Sequence, residues 1–296
     1  MTTLQFAGLK PATVRSYKQA LKRFFEWVEA EDLQIPTTYS ALDRMLSRYL
    51  EHMWLDDEPL TYAGHLLSGL RRFLPEARWR TPRAKQYFAN WQISHVSHPA
   101  APLPASAVLG LAGLAVATKQ PKVAAILLIG YLAFLRTSEL VKLSTAKIAV
   151  DRPRDRILIA LPGTKTSRGR EETVCVVDRR VAALVSSICT SPLTPLWHGT
   201  ASSFRSMLTE FFTFFSLSEF NFTAYSFRRG GASHAFATGV TFDELLIKGR
   251  WQNARTARLY LDTGRAALIQ TRFTPPTSLL LERYATKLRV YCDQLR

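Results

Sequence analysis

The sequence predicts a mainly α-helical protein of two domains, the second of which holds one small antiparallel sheet. Apolar residues recur at spacings of three and four through most of the chain, whereas two short runs, at 157–161 and 173–177, are typical of strands. The prolines at 99, 102 and 104 separate the two parts. A length of 296 residues also favours two domains, because single cores rarely grow beyond about 250–300 residues.

The first domain is predicted to be a helical bundle over residues 1–96. Its first helix has apolar side chains on one face and leaves Lys18 and Lys22 on the other. Three further segments share this helical spacing. The predicted helices cover residues 11–30, 40–54, 62–73 and 82–93.

The segment 97–105 is predicted to be a Pro-rich linker, and residues 106–296 a second domain. Two apolar helices open it, and two strands flank the turn PGTKTSRGREE before helical spacing returns at about 203. Thr241 and Glu244 form a capping-box pattern, and Asn253 is a candidate N-cap. The predicted segments are helices at 105–118, 122–135 and 277–294 and strands at 157–161 and 173–177.

The last helix carries apolar residues that suit two kinds of contact. It can dock on a neighbouring copy of the chain or pack on its own domain, and the sequence favours neither. The residues available for this contact are Leu279, Leu280, Tyr284, Leu288 and Tyr291.

The net charge of +16 points to a polyanionic partner. Residues 101–296 hold 26 basic against 13 acidic residues, compared with 13 against 10 in residues 1–100. The three cysteines form no paired framework, and the N-terminus has no apolar signal core, so we expect an intracellular protein with no membrane partner. Double-stranded DNA is the predicted partner.

Motifs for nucleotide hydrolysis and metal binding do not occur in the sequence. The segment around Lys165 lacks the order of a phosphate-binding loop, and no zinc or calcium pattern is present. We therefore expect no cofactor, no metal ion and no small-molecule substrate.

Candidate catalytic residues are spread through the basic second part. Arg136 follows an apolar run, with Glu139 three residues later on the same predicted helical face. Lys165 lies in the turn between the strands. The remaining candidates stand in AYSFRRGGASHAF and KGRWQNARTARLYLD and are Tyr225, Arg228, Trp251 and Tyr260. Each has an ordinary structural explanation alone, but together they form an ordered set.

This set resembles the active site of the tyrosine recombinase (phage integrase-like) family: arginine, hairpin lysine, His-x-x-Arg, His or Trp, and tyrosine. The match covers about residues 130–265, and SFRRGGASH with GRW…RTARLY is similar to recombinases of eukaryotic mobile elements. The resemblance implies a helical core-binding domain that clamps DNA and an α+β catalytic domain with a C-terminal helix. It also implies a homotetramer on paired DNA sites that performs DNA recombination or integration.

The chemistry expected of this set is transesterification at a phosphodiester. Arg136 and Arg228 would bind the non-bridging oxygens, and the Trp251 indole N–H would join them. Tyr260 would attack to form a 3′-phosphotyrosine, while Lys165 would protonate the leaving 5′ oxygen. By resemblance, Glu139 would orient side chains. The bond energy stays in the protein–DNA link, so ATP and metal are not required.

Tyr225 stands where the family usually has histidine. A phenol donates a hydrogen bond but is a weak base near neutral pH. One alternative is therefore a weak or inactive DNA-binding protein derived from a mobile element, and another is a relative of topoisomerases or resolvases. Tyr225 is also a second-choice nucleophile.

Phosphate contacts in the first domain are expected from its basic residues. We expect the protein to be located in the nucleus if its host is a eukaryote and in the nucleoid-containing cytoplasm if its host is a bacterium. The candidate DNA-contacting residues are Lys18, Lys22, Arg71, Arg72, Arg78, Arg80, Arg83 and Lys85.

Overall fold

The computed structural model describes residues 8–95, 100–161, 171–189 and 194–295. The chain divides into two compact units, Met1–His98 and Pro99–Arg296. Among the described residues no helix has the length and apolarity needed to cross a membrane.

The first unit contains helices only, over the part that the structure describes. Their inward faces share one apolar core that includes Phe24, Leu46 and Leu66. The helices are α1 (Pro11–Ala30), α2 (Tyr39–Leu55), α3 (Leu60–Phe73), α4 (Ala77–Arg80) and α5 (Pro82–Ser94). The predicted helices of this unit are therefore confirmed, with ends displaced by one or two residues.

A buried carboxylate fixes α5 against α2. Asp43 is 8% exposed, and its two oxygens accept the backbone N–H groups of Arg83 and Ala84 at 3.0 and 2.9 Å. The first N–H groups of a helix have no partner within that helix, and a carboxylate there also suits the helix dipole. Asp43 therefore caps a helix that lies 40 residues further along the chain.

The second unit surrounds its larger apolar core with helices and one sheet. The helices α6 and α7 are almost fully buried. The elements are α6 (Ala105–Ala117), α7 (Pro121–Leu132), α8 (Thr137–Leu140), β1 (Ile148–Asp151), β2 (Arg156–Leu161), β3 (Glu172–Val177), α9 (Arg179–Ile188), α10 (Ala201–Phe214), α11 (Ala224–Ala237), α12 (Phe242–Gly249), α13 (Ala254–Arg258), α14 (Thr263–Thr271) and α15 (Pro275–Gln294), with single 3₁₀ turns at Thr145–Lys147, Arg152–Arg154 and Ser218–Phe220.

The sheet has the order β1-β2-β3, and both pairings are antiparallel. Ile159 lies opposite Ile148 on one side and opposite Val174 on the other. The two predicted strands are confirmed. β1 was not predicted, because its four residues are too few to establish an alternating pattern.

The second apolar helix ends earlier than predicted. α7 stops at Leu132, and Phe134 adopts the left-handed conformation with φ of 49°. The chain then turns so that Arg136 is the extended N-cap of the short helix α8. Arg136 and Glu139 therefore do not share one face of a continuous helix; Glu139 instead reaches back to the start of α8.

The C-terminal helix packs on its own unit. Leu281 and Leu288 of α15 are 1% exposed, and α15 lies so close to α6 that a Cβ on Gly113 would stand 1.9 Å from the Tyr284 carbonyl oxygen. Of the two contacts left open by the sequence, the isolated chain adopts this one. Leu279 remains 73% exposed.

Residues 101–104 of the Pro-rich segment are buried in the second unit. The N–H of Leu103 donates to the carbonyl of Ser226 at 3.1 Å, and a Cβ on Gly230 would stand 2.0 Å from the carbonyl oxygen of Leu103. Glycine at 230 thus allows this segment to lie directly against α11.

Candidate active site and DNA-contacting residues

Five of the six predicted catalytic residues lie on or next to helices of the second unit; they are Arg136, Tyr225, Arg228, Trp251 and Tyr260. Thr223 caps α11 by accepting the N–H of Tyr225 at 3.2 Å, which places Tyr225 in the first turn and Arg228 one turn later. Trp251 follows α12 and Tyr260 follows α13. The predicted capping box at Thr241 and the Asn253 cap both form, and they define where these two helices begin.

The aromatic rings of this site surround the guanidinium of Arg228. Its Cζ lies 4.9 Å from the ring centre of Trp251 and 5.1 Å from that of Tyr260. The centres of these two rings are 4.8 Å apart, and the hydroxyl of Tyr225 donates to that of Tyr260. Cation–π attraction therefore connects the candidate nucleophile to a candidate phosphate-binding arginine.

Arg228 is completely buried. It donates from Nη1 to the carbonyl of Phe134, and from Nη2 to the carbonyl of Gly249 at 2.6 Å. Burial, followed by the positive charges of Arg136 and Arg250, lowers the pKa of Arg228 to about 10. The guanidinium thereby joins the turn before α8 to the end of α12.

Glu139 lies between two guanidiniums. Its Oε1 accepts from Nη1 of Arg136 at 2.7 Å, and its Oε2 accepts the backbone N–H of Arg136 and Nη2 of Arg250, each at 2.8 Å. The side chains of Glu139 and Arg250 are 5% and 4% exposed, whereas that of Arg136 is 30% exposed. Glu139 thus orients Arg136, whose side chain remains partly exposed.

Arg250 is a buried residue of this site that was not predicted from the sequence. Burial lowers the pKa of its guanidinium, and the charge of Glu139 opposes this shift. Arg250 adopts the left-handed conformation with φ of 54°, and its Nε lies 3.7 Å from Oε2 of Glu172 at the start of β3. An arginine between Gly249 and Trp251 carries no sequence signal of burial, so only the tertiary structure reveals its role.

Trp251 carries a buried donor that has no acceptor among the residues that the structure describes. Its side chain is 7% exposed and stacks on Phe134, with 6.2 Å between ring centres. Within the described ranges its Nε1 has no hydrogen-bond partner. A buried N–H left without an acceptor costs about 1–3 kcal/mol, so this position favours a ligand that brings an oxygen.

Tyr225 and Tyr260 differ in their hydrogen-bonding roles. Burial, followed by the hydrogen bond to Tyr260, raises the pKa of Tyr225. Tyr225 is therefore a protonated phenol near neutral pH, and it donates to the Tyr260 oxygen rather than accepting its proton.

Lys165 falls outside the described residues. The strands on either side of its turn end at Leu161 and begin again at Glu172. Because Glu172 reaches Arg250, the base of this hairpin lies beside the candidate site.

The predicted DNA-contacting residues of the first unit lie on α1, at the end of α3, on α4 and on α5. Arg78 stacks on Trp79, whose side chain is 77% exposed, and the Arg80 guanidinium lies 5.5 Å from the ring centre of Tyr39. Lys22 pairs with Glu26 at 3.3 Å. The remaining members divide into the exposed Lys18, Arg83 and Lys85 and the half-buried Arg71 and Arg72.

No group of three or more histidine, cysteine or acidic side chains in the described part of the chain could hold a metal ion. The chemistry available here is that of guanidiniums, an indole N–H and two phenols. These groups suit an oxyanion that meets a tyrosine hydroxyl.

Comparison with known proteins finds similarity in structure but not in sequence. No family model and no curated protein matches the chain. The integrase of transposon Tn1549, in complex with transposon right end DNA, shares 13% identity over 90% of this chain and 95% of its own, with a TM-score of 0.61.

The XerH site-specific recombinase bound to difH substrate, in a pre-cleavage complex, shares 11% identity over 88% of this chain and 79% of its own, with a TM-score of 0.57. Its post-cleavage complex with palindromic difH gives 12% identity, 83% and 75% coverage and a TM-score of 0.54. These neighbours are tyrosine recombinases and integrases, and at such identities the similarity establishes fold. The chain thus has the tyrosine-recombinase fold, a mainly helical architecture with a small antiparallel sheet.

Proposed function

We propose that the chain is a DNA strand transferase that cuts and rejoins DNA through a 3′-phosphotyrosine on Tyr260. The contact of the Arg228 guanidinium with the rings of Trp251 and Tyr260, close enough to Arg136 for its charge to act on Arg228, carries this proposal. The structural neighbours include a recombinase in pre- and post-cleavage DNA complexes and an integrase on transposon-end DNA, and this supports the proposal.

Phosphate binding would use one partly exposed guanidinium and one buried donor that has no acceptor among the described residues. The side chain of Arg136 and the indole N–H of Trp251 would meet the non-bridging oxygens of the scissile phosphate. The buried Arg228 would add positive charge near the phosphate. Its hydrogen bonds to the carbonyls of Phe134 and Gly249 would fix the positions of these two segments. Fixed donors of this kind stabilise the negative charge of a five-coordinate phosphorus.

The covalent step joins the Tyr260 oxygen to phosphorus and breaks the bond from phosphorus to the 5′ oxygen. The proton of the Tyr260 hydroxyl leaves to solvent as the phenolate attacks, and Lys165 donates a proton to the departing 5′ oxygen. Attack by the free 5′-hydroxyl of a new strand reverses the step. The number of phosphodiester-type bonds is conserved, so the reaction requires neither ATP nor metal.

We further propose that the active assembly is a homotetramer on two paired duplex sites and that the chain belongs to the eukaryotic mobile-element type of recombinase. SFRRGGASH and the GRW turn support the latter, with nuclear localisation in such a host. In a bacterial host the same activity would operate in the cytoplasm.

A DNA-binding protein with weak or no catalysis is the second candidate. The hydrogen bond from Tyr225 to Tyr260 favours it, because a protonated phenol at this position does not remove a proton from the nucleophile. A topoisomerase- or resolvase-like outcome would use the same covalent chemistry. It is distinguished by relaxation of supercoiled DNA by a single subunit.

The test is to trap the covalent intermediate. Duplexes that the protein retains from a randomised pool are rebuilt with a nick next to each internucleotide linkage in turn and incubated with wild type, Tyr260→Phe and Tyr225→Phe. The expected result is an adduct on denaturing gels with wild type and Tyr225→Phe but not with Tyr260→Phe. Retention of duplexes without any adduct would overturn catalysis in favour of the second candidate.

A further inference from the structure

The segment that carries Tyr260 is held from one side by Ser233 of α11. The Ser233 hydroxyl donates to the carbonyl of Tyr260 at 3.1 Å and accepts the backbone N–H of Asp262 at 2.9 Å. A hydroxyl has one proton and two lone pairs, so it can make both bonds at once. Ser233 is 1% exposed, so water cannot easily take over its two hydrogen bonds if the hydroxyl is removed.

Arg229, also on α11, makes a second contact to the same segment. Its Nη2 lies 3.5 Å from Oδ2 of Asp262, and its side chain is 7% exposed. Asp262 accepts the N–H of Arg265 at 3.2 Å and thereby caps α14. Burial lowers the pKa of Arg229, and the charge of Asp262 opposes that shift. The end of the Tyr260 segment is thus fixed to α11 as well as to α14.

The same helix carries Tyr225 and Arg228, the two side chains that reach the Tyr260 ring and hydroxyl. Four side chains of α11 therefore contact the tyrosine segment. Tyr225 and Arg228 contact the side chain of Tyr260, Ser233 bonds the carbonyl of Tyr260 and the N–H of Asp262, and Arg229 pairs with the Asp262 side chain. The contacts given above for Ser233 and Arg229 are with Tyr260 and Asp262. Their contacts act on the position of Tyr260.

We propose that Ser233 and Arg229 are positioning residues that hold Tyr260 beside Arg228 of the same chain. The proposal rests on the proposed function of Tyr260 as nucleophile. Holding a nucleophile near its target removes much of the entropy cost of attack, and a displacement of about 1 Å can lower a rate by about 10²-fold. The anchoring is thus expected to govern the cleavage rate rather than DNA affinity.

The first experiment measures anchoring without DNA. Hydrogen exchange of the full chain is compared for wild type, Ser233→Ala, Asp262→Asn and Thr238→Val. The control residue Thr238 bonds the carbonyls of His234 and Ala235 at the other end of α11 and does not touch Tyr260. We expect exchange within residues 259–266 to rise by about tenfold or more in Ser233→Ala and to rise in Asp262→Asn, with no rise there in the control.

The second experiment measures single-turnover adduct formation and DNA affinity on the duplex used to trap the intermediate. We expect Ser233→Ala to lower the adduct rate by about 10²-fold with DNA affinity changed by less than about twofold, and Ser233→Thr to recover much of the rate. A purely structural role would instead weaken binding and lower thermal stability along with the rate.

Two outcomes would overturn the positioning role: unchanged exchange at residues 259–266 in Ser233→Ala, or increased exchange with an adduct rate equal to that of wild type. A wild-type protein that forms no adduct would overturn the proposed function instead. The exchange measurement would still decide whether Ser233 anchors the segment, so the two failures are distinguishable.

Discussion

Arg250 and Glu139 form a buried ion pair, with Nη2 of the arginine 2.8 Å from Oε2 of the glutamate. They are separated by 111 residues in sequence, and the Arg136 guanidinium binds Oε1, the other oxygen of the same carboxylate. A single acidic side chain thus compensates one buried and one half-exposed cation. Removing either partner leaves a charge that the protein interior does not solvate.

We expect Arg250→Ala to destabilise the second unit by about 3–5 kcal/mol, because it leaves the buried Glu139 with only one of its two cations. The matched control is Arg154→Ala, which breaks an exposed pair with Asp151 and should cost at most about 1 kcal/mol. Urea denaturation followed by circular dichroism measures both. Equal losses for the two variants would contradict the importance of the buried pair.

The close contact between α6 and α15 predicts that a methyl group added at Gly113 destabilises the second unit. Gly113→Ala would place a Cβ 1.9 Å from the Tyr284 carbonyl oxygen, so the two helices must separate. We expect a loss of about 1–3 kcal/mol or more in the free energy of unfolding. Gly264→Ala is the control, since nothing lies within 4 Å of its Cβ position in α14. A helix interior prefers alanine to glycine by about 1 kcal/mol, so the control should be neutral or stabilising.

Because of Tyr131, we expect the free energy of unfolding to fall at alkaline pH. Its side chain is 4% exposed, burial raises the pKa of its phenol, and its hydroxyl has no hydrogen-bond partner among the described residues. The unfolded phenol loses its proton near pH 10. Above that pH the folded state binds more protons than the unfolded state, so stability falls as pH rises.

We expect Tyr131→Phe to reduce this alkaline loss. At neutral pH it should be neutral or stabilising by about 1 kcal/mol, because it removes a buried hydroxyl that lacks an acceptor. Urea denaturation at neutral pH and at a pH of about 11 measures the difference. A variant that loses as much stability as wild type at high pH would contradict the prediction.

Phosphate contacts by the first unit predict a change in salt dependence. Replacing the exposed Arg83 by alanine should reduce the slope of log affinity against log salt by about 0.9, the value for one lost contact with duplex DNA. Arg44→Ala is the charge-matched control, since Arg44 lies on α2 outside the candidate set and bonds Ser40 at 2.8 Å. Titration of one defined duplex at several salt concentrations measures both slopes. Equal slopes for Arg83→Ala and wild type would remove Arg83 from the interface.

Helix periodicity and capping patterns predict much of this fold because they are local. The spacing of apolar residues identifies α1 and α5, and the capping box at Thr241 identifies the start of α12. The end of α7 was predicted incorrectly because its apolar run continues past the left-handed Phe134. The conformation of that residue depends on contacts from α11 and α12 that no local pattern contains.

The candidate site was likewise predicted only in part from the sequence. The order and spacing of Arg136, Arg228, Trp251 and Tyr260 are visible in the sequence, and in the structure the Arg228 guanidinium lies against the rings of Trp251 and Tyr260. Arg250 and Ser233 were missed because their importance comes from distant partners. Ser233 bonds Tyr260 and Asp262, 27 and 29 residues away, and Arg250 bonds Glu139, 111 residues away. A serine in a helix and an arginine beside a glycine have many ordinary interpretations until burial and hydrogen bonds are known.

The indole N–H of Trp251 leads to the most direct test of the phosphate position. Trp251→Phe keeps an aromatic ring against Phe134 and Tyr260 but removes the donor. Because Nε1 has no partner among the described residues of the free protein, its loss breaks no hydrogen bond there. Removal of one oxyanion donor typically lowers a rate by about 10²–10³-fold. We expect a loss of this size in single-turnover adduct formation, with little change in DNA affinity.

The chain offers a matched control in Trp197, whose Nε1 donates to the Thr200 carbonyl at 3.1 Å. Trp197→Phe breaks that bond and should lower the free energy of unfolding by about 1 kcal/mol while leaving the adduct rate unchanged. The two variants thus separate a donor kept for the ligand from a donor used in folding. If Trp251→Phe formed the adduct at the wild-type rate, its indole would be a packing group, and the phosphate would depend on Arg136 and Arg228 alone.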